Sequence, residues 1–256
     1  MQIVFALVAL VVGFVLLVKG ADWFVEGSAG IANKFGIPQI VIGLTIVAMG
    51  TSMPEAAVSI SAALRGSAEI TIGNVVGSNI MNILVILGLT AVVCQIAVQK
   101  TTIHYEIPMV IGVTILLAVM GLQNNIISRA EGVILLACMV VYMLYLLRLA
   151  KRGVVENEEM DAYAKQVSFG RLILLVVVGV AAIIFGSHVA VEAASAIARI
   201  FGISERFIGL TIVAFGTSLP ELVTSVAAAR RGNSDIAVGN IVGSNLFNIM
   251  FVVGIT

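Results

Sequence analysis

A block of about fifty residues occurs twice in the chain, 166 positions apart. Both copies contain Gly-Leu-Thr-Ile-Val-Ala near their start, followed in the same register by Gly-Thr-Ser, Pro-Glu, Gly-Asn and Val-Gly-Ser-Asn. Similarity between apolar segments alone does not produce matched proline, glutamate and asparagine positions. The chain therefore contains an internal duplication, with a first copy at about 39–92 and a second at about 205–256.

The duplicated blocks lie in a strongly apolar chain. Hydrophobic residues make up 60% of the sequence and charged residues 11%, against about 45–50% and 25% in globular proteins. A helix of ~20 apolar residues crosses a bilayer, and eight apolar runs meet this pattern: about 3–19, 39–64, 70–96, 104–122, 131–149, 172–191, 207–229 and 236–256. The sequence predicts an all-α, polytopic membrane protein with about eight transmembrane helices, which excludes a sizeable soluble catalytic domain.

The number of helices between the two copies sets their relative orientation. Five predicted spans separate the start of one copy from the start of the other, and an odd number turns the second copy upside down in the membrane. Inverted repeats are typical of secondary transporters, which hold their substrate near the midplane between the copies. The predicted architecture is therefore an inverted-repeat transporter.

One clearly aqueous stretch, 150–170, divides the chain into a first membrane half, 1–149, and a second, 171–256. Placing the N-terminus outside puts ten of the fourteen Lys and Arg residues on the side of this linker. The positive-inside rule then predicts a multi-pass protein of the cell membrane with a cytoplasmic linker. The net charge is zero and the chain has no basic run, which excludes a nucleic-acid binder. The lipid bilayer is the expected surrounding of the chain, and no obligate protein partner is evident.

Two glutamates are the candidate functional residues. Glu55 and Glu221 are the only acidic residues deep in a predicted span, and the other twelve fall at predicted helix ends or in loops. An unpaired carboxylate at that depth costs roughly 3 kcal/mol or more, and no Lys or Arg lies at a similar depth. The two carboxylates are therefore expected either to share a proton or to bind a cation.

The residues around the glutamates are rich in oxygen. Pro54 and Pro220 follow Gly-Thr-Ser and are expected to break the helix, because proline has no N–H to donate, and the freed carbonyls need partners. Each copy also carries a polar stripe at i, i+4 and i+8: Asn74, Ser78 and Asn82, and Asn240, Ser244 and Asn248. An all-oxygen shell with two negative charges suits a hard cation such as calcium, and sodium accepts the same oxygens.

The doubled pattern G-T-S-x-P-E followed by G-N-x-x-G-S-N-x-x-N resembles the two alpha-repeats of the cation/calcium exchanger superfamily, in particular prokaryotic sodium/calcium exchangers. The resemblance implies a fold of ten helices. Because the second copy stops at Thr256, the counterpart of Thr90, we expect the last two helices of that pattern to be absent. The ion ligands that it implies are Ala48, Thr51, Ser52, Glu55, Ser78 and Asn82, and Ala214, Thr217, Ser218, Glu221, Ser244 and Asn248.

The resemblance also implies a division of roles. Both glutamates would bind calcium centrally with the threonine backbone carbonyls, and the alanine carbonyls with the serines would complete flanking sodium sites. Calcium and sodium would be the transported ions, with no prosthetic group. Alternating access would come from sliding of the first and sixth helices, whose glycines permit close contact. Some relatives have Asp where Asn248 stands, which leaves the ion stoichiometry and potassium dependence open.

The favoured function is a secondary active antiporter that exchanges calcium for sodium by alternating access. A proton/calcium or potassium-dependent cation exchanger is the nearest alternative, since two close carboxylates can share a proton. A cation channel would also need a polar midplane. An intramembrane hydrolase using Ser52 or Ser218 is disfavoured, because no histidine lies on a facing polar stripe at that depth.

Overall fold

The computed structural model describes residues 2–66, 68–124, 126–151 and 167–256. Within these residues the secondary structure is helical. The helices are α1 (Gln2–Phe35), α2 (Gln39–Thr51), α3 (Met53–Leu64), α4 (68–93), α5 (102–124), α6 (Arg129–Ala150), α7 (Phe169–Ile200), α8 (205–217), α9 (Leu219–Arg230) and α10 (Ser234–Val253).

Six of these helices are long and apolar enough to cross a membrane, and two bent pairs can each supply one further span. The bends measure 49° between α2 and α3 and 50° between α8 and α9. They fall at Ser52 and Ser218, and each is followed by a proline in the first turn of the next helix. The predicted polytopic fold with up to eight spans and the predicted proline breaks are therefore confirmed.

Five helices contain a π-helical turn, in which the backbone bonds to the fifth preceding residue. Four of the turns occupy equivalent positions of the two copies: Gly43–Val47 and Gly209–Val213, and Asn82–Ile86 and Asn248–Val253. The fifth, Thr102–Glu106, lies in α5 outside both copies. Such turns occur frequently at functional sites, so the backbone is irregular where the sequence is duplicated and at one further place.

The helices α1 and α7 are longer than predicted, with 34 and 32 residues. They pack antiparallel, backbone against backbone, through glycines seven residues apart. A Cβ atom added to Gly13 would lie 2.9 Å from the Gly186 carbonyl oxygen, and one added to Gly20 would lie 2.9 Å from the Gly179 carbonyl oxygen. The predicted small-residue contact is confirmed, and it explains why α1 continues as a helix beyond Lys19.

The prediction that the other acidic residues lie at helix ends or in loops is wrong for four of them, one of which, Glu192, lies within α7. Asp22 and Glu26 lie within α1 and pair with Arg231, at 3.3 and 3.4 Å. Glu106 lies in α5 and is fully buried. Because Asp22 and Glu26 lower the hydropathy of this part of α1, the predicted span ended before the helix itself ends.

The two copies have the same elements but different surroundings. The most apolar stretch of α10 is 89% buried, because α10 crosses α2 on one side and packs against α5 and α6 on another. The corresponding stretch of α4, its counterpart in the first copy, is only 28% buried. Most of the predicted linker 150–170 lies outside the described residues.

Candidate functional site

The two helix breaks bring the two glutamates together. Glu55 and Glu221 occupy the first turns of α3 and α9, and each is 1% exposed. The Ser52 hydroxyl donates to Glu221 Oε1 at 2.8 Å, and the Ser218 hydroxyl donates to Glu55 Oε1 at 3.3 Å. Each carboxylate therefore bonds to the serine at the break of the opposite copy, so the copies interlock at this point.

Backbone carbonyls near the breaks accept hydrogen bonds from side chains. The Gly216 carbonyl, which Pro220 leaves without its usual helical donor, accepts from the Ser187 hydroxyl of α7 at 2.8 Å. The Ala48 carbonyl accepts from the Ser52 N–H at 3.0 Å and from the Ser244 hydroxyl at 3.4 Å. The irregular backbone is thus satisfied by protein groups, as a break inside a bilayer requires.

Two asparagines of the polar stripes hold the first turns of α3 and α9. Asn74 donates to the backbone carbonyl of Glu55 at 3.2 Å, and Asn240 donates to that of Glu221 at 3.3 Å. Asn74 also donates to the Ser59 hydroxyl, and Asn240 donates to the Ser225 hydroxyl. Each serine lies one turn after the glutamate, on the helix that carries the glutamate. The Thr51 hydroxyl lies 2.9 Å from Asn240 Oδ1, which accepts from it. These amides therefore position the glutamates.

Asn79 and Asn245 join the two copies, and the sequence analysis did not single them out. Asn82 donates to Asn245 Oδ1 at 2.9 Å, and Asn248 donates to Asn79 Oδ1 at 3.2 Å. Asn79 also donates to the Asn245 backbone carbonyl at 3.2 Å. Both residues stand in the repeated Val-Gly-Ser-Asn, so the duplication itself was the available signal.

Four buried side-chain oxygens at equivalent positions of the two copies make no hydrogen bond with the described residues: Glu55 Oε2, Glu221 Oε2, Asn82 Oδ1 and Asn248 Oδ1. The turn that begins at Asn82 packs against α9, and the turn that begins at Asn248 packs against α3. Each asparagine therefore lies in a turn that packs on the helix carrying the glutamate of the opposite copy. A buried oxygen without a partner is costly in free energy, and a bound cation removes that cost.

No basic side chain neutralises the glutamates in the part of the chain that the structure describes. The ion pairs found there are Arg199 with Glu205 and Arg231 with Asp22 and Glu26, all at partly exposed positions. Two buried carboxylates without a basic partner need protons or cations.

The two copies differ at the remaining predicted ligands. Ala48 and Thr51 are buried, whereas Ala214 is exposed and Thr217 is partly exposed. The Thr217 hydroxyl donates to the Ala214 carbonyl of its own helix, at 3.2 Å. Ser78, like Ser244, is buried. The structure therefore brings the predicted residues of the first copy into the interior and leaves part of the second copy open.

The chemistry of the site is that of hard cations. Its groups are carboxylate, amide, hydroxyl and backbone carbonyl oxygens, which suit calcium and sodium better than soft metals. Among the described residues no three His, Cys, Asp or Glu side chains come together as a metal site. Both histidines, His104 and His188, are exposed, whereas the hydroxyl groups of both serines at the breaks donate to a glutamate.

Up to eight spans, an inverted duplication and a buried, oxygen-lined pair of carboxylates between the copies define a secondary transporter of cations. The family model for the sodium/calcium exchanger protein matches residues 5–148 and 171–256. The chain belongs to this family, as its doubled motif predicted. The family consists of cation/calcium antiporters that transport Na⁺ and Ca²⁺ without a prosthetic group.

Individual relatives agree with this assignment. The chain is 41% identical to the putative antiporter CaxA of Alkalimonas amylolytica, over 98% of the chain and 79% of CaxA. It is 33% identical to the sodium/calcium exchanger MaX1 of Methanosarcina acetivorans, over 96% of the chain and 81% of MaX1. Its fold is similar to that of the sodium-calcium exchanger NCX_Mj soaked with Na⁺ and Sr²⁺. That match has a TM-score of 0.84 and 36% identity, and it covers 99% of the chain and 81% of NCX_Mj.

Proposed function

We propose that this antiporter exchanges Ca²⁺ for Na⁺ across the cell membrane. The observation that carries the proposal is the set of four buried oxygens without partners, two of them carboxylate oxygens, at equivalent positions of the inverted copies. Two ionised glutamates carry a charge of −2, which one Ca²⁺ or two Na⁺ neutralise. Because both ions would use the same carboxylates, they compete, and each would leave only when the other replaces it.

The proposed ligands are those of the doubled motif. Glu55 and Glu221 hold Ca²⁺ centrally with the side-chain oxygens of Asn82 and Asn248, which accept no hydrogen bond from the described residues. The neighbouring Ala48 carbonyl and Ser244 hydroxyl, 3.4 Å apart, supply oxygens for a flanking Na⁺. The other proposed ligands are Thr51, Ser52, Ser78, Ala214, Thr217 and Ser218.

The asymmetry between the copies supports alternating access. A Cβ atom added to Gly43 of α2 would lie 3.0 Å from the Gly239 Cα atom of α10, so these helices are in backbone contact. The equivalent glycines of the other pair, Gly209 of α8 and Gly73 of α4, would have nothing within 4 Å of an added Cβ atom. We infer that ions reach the site between α4 and α8 in this conformation, and between α2 and α10 in the opposite one.

Thiol labelling tests the proposed access path. With Cys94 and Cys138 replaced by serine, Ala214→Cys is expected to react with a membrane-impermeant maleimide applied outside at least about tenfold faster than Ala48→Cys. The two positions are equivalent in the repeats, but only Ala214 is exposed. With the N-terminus outside and the linker 150–170 cytoplasmic, residues 205–217 lie in the outer half of the membrane.

Labelling of Arg65→Cys, in the exposed turn after α3, provides the control for sidedness. It should react only from outside in the proposed orientation. Equal rates for the two alanine positions would contradict the access path, whereas labelling of Arg65→Cys only from inside would contradict the orientation.

Calcium uptake into sealed vesicles tests the exchange itself. Vesicles loaded with Na⁺ and diluted into Na⁺-free medium with radioactive Ca²⁺ are expected to accumulate Ca²⁺ far above vesicles loaded with N-methylglucamine. Collapsing the Na⁺ gradient should abolish the accumulation. Uptake that does not depend on internal Na⁺ would contradict the proposal.

Further arms of the same experiment separate the alternatives. Uptake driven by a pH gradient without Na⁺ would indicate proton/calcium exchange, and a requirement for internal K⁺ with Na⁺ would indicate a potassium-dependent exchanger. Ca²⁺ entry driven by membrane potential alone, with single-channel currents, would indicate a cation channel. The two facing carboxylates favour stepwise exchange over such free conduction.

A further inference from the structure

A third buried glutamate lies outside both copies of the repeat. Glu106 ends the π-helical turn Thr102–Glu106 at the start of α5 and is 0% exposed. The Tyr145 hydroxyl of α6 donates to its Oε1 atom in a short hydrogen bond. Its Oε2 atom is buried and makes no hydrogen bond with any described residue. The exchange site therefore does not account for this carboxyl group.

Other oxygens surround Glu106. Thr102 lies one turn earlier on the same helix and is also 0% exposed, and its Oγ1 atom likewise lacks a hydrogen-bond partner among the described residues. Tyr142 lies one turn before Tyr145 on α6 and is fully buried. Two helices thus bring the Glu106 carboxyl group and the side chains of Thr102, Tyr142 and Tyr145 into one buried region, where the Tyr145 hydroxyl bonds to the carboxyl group.

Neither protonation state of Glu106 satisfies this cluster by itself. An ionised Glu106 leaves a buried charge, because the ion pairs of the described residues do not include it. In the structure Oε2 makes no hydrogen bond with Thr102 or with any other described residue, so a proton on Oε2 is not donated to an acceptor in this geometry. The nearby His104 and Lys100 are exposed, and the His104 ring bonds to the Lys100 backbone carbonyl. A cation between Oε2 and the hydroxyl oxygens satisfies both groups.

We propose that Thr102, Glu106, Tyr142 and Tyr145 form a second cation site, separate from the exchange site, that binds a monovalent alkali cation such as Na⁺. One carboxylate with three neutral hydroxyls supplies a single negative charge, which a monovalent ion neutralises. Calcium sites normally recruit more oxygens and more charge. The cluster lies outside both copies of the repeat, so the site is separate from the pair of glutamates between the copies.

The site is connected to the proposed exchange site through α2. The Tyr142 hydroxyl donates to the Leu44 backbone carbonyl at 3.3 Å. Leu44 lies in the π-helical turn Gly43–Val47, which ends directly before Ala48. A cation bound at Glu106 fixes the tyrosine-bearing face of α6 against this turn. Its role is therefore to stabilise the packing of α5 and α6 on α2, rather than to be transported.

The test measures stabilisation by Na⁺ with the exchange site disabled. In the Glu55→Gln/Glu221→Gln double variant, purified in detergent, replacing N-methylglucamine chloride by NaCl at equal ionic strength is expected to raise the melting temperature by roughly 2–4 °C. The additional change Glu106→Gln is expected to abolish this rise. The double variant keeps the result independent of whether the proposed exchange is correct.

A second variant guards against misfolding. Thr102→Val keeps the carboxylate and is expected to raise the Na⁺ concentration for half-maximal stabilisation about tenfold, the cost of losing one hydroxyl ligand. No Na⁺-specific rise in the double variant would overturn the proposal, and so would a rise that persists after Glu106→Gln. Stabilisation that follows pH and not Na⁺ would instead identify Glu106 as a proton site and would also overturn it.

Discussion

Replacing Glu55 or Glu221 by glutamine is expected to reduce Na⁺-driven Ca²⁺ uptake at least about a hundredfold. Glutamine has nearly the same shape but no charge, so each change removes half of the negative charge of the proposed site. Two unit charges 4 Å apart interact by about 4 kcal/mol at an effective dielectric constant of 20, and each 1.4 kcal/mol is about tenfold in affinity. Radioactive Ca²⁺ uptake by vesicles loaded with Na⁺ measures the loss.

Glu69→Gln is the matched control for this prediction. Glu69 lies in the first turn of α4, within the same copy, but it is exposed. Its loss removes the same charge from the protein and is expected to leave uptake within about twofold of the unchanged chain, as is usual for surface substitutions. If either buried-glutamate variant transported Ca²⁺ as fast as the Glu69 variant, the two carboxylates would not be the ion ligands.

The spans and the proline breaks could be predicted because each depends on local physics. A run of apolar residues of bilayer length forms a helix wherever it is placed, and Pro54 and Pro220 remove helical hydrogen bonds whatever surrounds them. The inverted arrangement followed from counting spans between the copies. Glycines spaced for close helix contact could also be recognised in α1 and α7, but the sequence did not predict that these two helices pack on each other.

Differences between the copies could not be predicted, because the copies have almost the same motif. Ala48 is buried and Ala214 is exposed although both follow Gly-Leu-Thr-Ile-Val. Their surroundings depend on which helices pack beside them, and that is a tertiary property. An inverted-repeat transporter in one conformation must break the symmetry of its own sequence, since a symmetric arrangement would treat the two sides of the membrane alike.

Glu106 shows a second limit of sequence analysis. Its position five residues into α5 resembles that of a charged residue at a helix end, where lipid headgroups and water would solvate it. In the structure, α6 covers that end and Tyr145 bonds to the carboxyl group, so Glu106 is as buried as the two glutamates of the repeats. Depth along a helix therefore did not determine burial, and packing of the neighbouring helix did.

The contact between α1 and α7 is expected to fail when Gly179 is changed to alanine. The new Cβ atom would lie 2.6 Å from the Phe24 backbone nitrogen and 2.9 Å from the Gly20 carbonyl oxygen, and neither backbone atom can move without displacing α1. Overpacking of this kind costs about 1–3 kcal/mol, which lowers the melting temperature in detergent by roughly 2–10 °C.

Gly170→Ala is the matched control, because Gly170 lies in the same helix and an added Cβ atom there would meet nothing within 4 Å. That variant should melt at or slightly above the temperature of the unchanged protein, since Gly170 lies in the first turn of α7 and alanine is a better helix former than glycine. Equal melting temperatures for the two variants would mean that α1 and α7 are not in backbone contact.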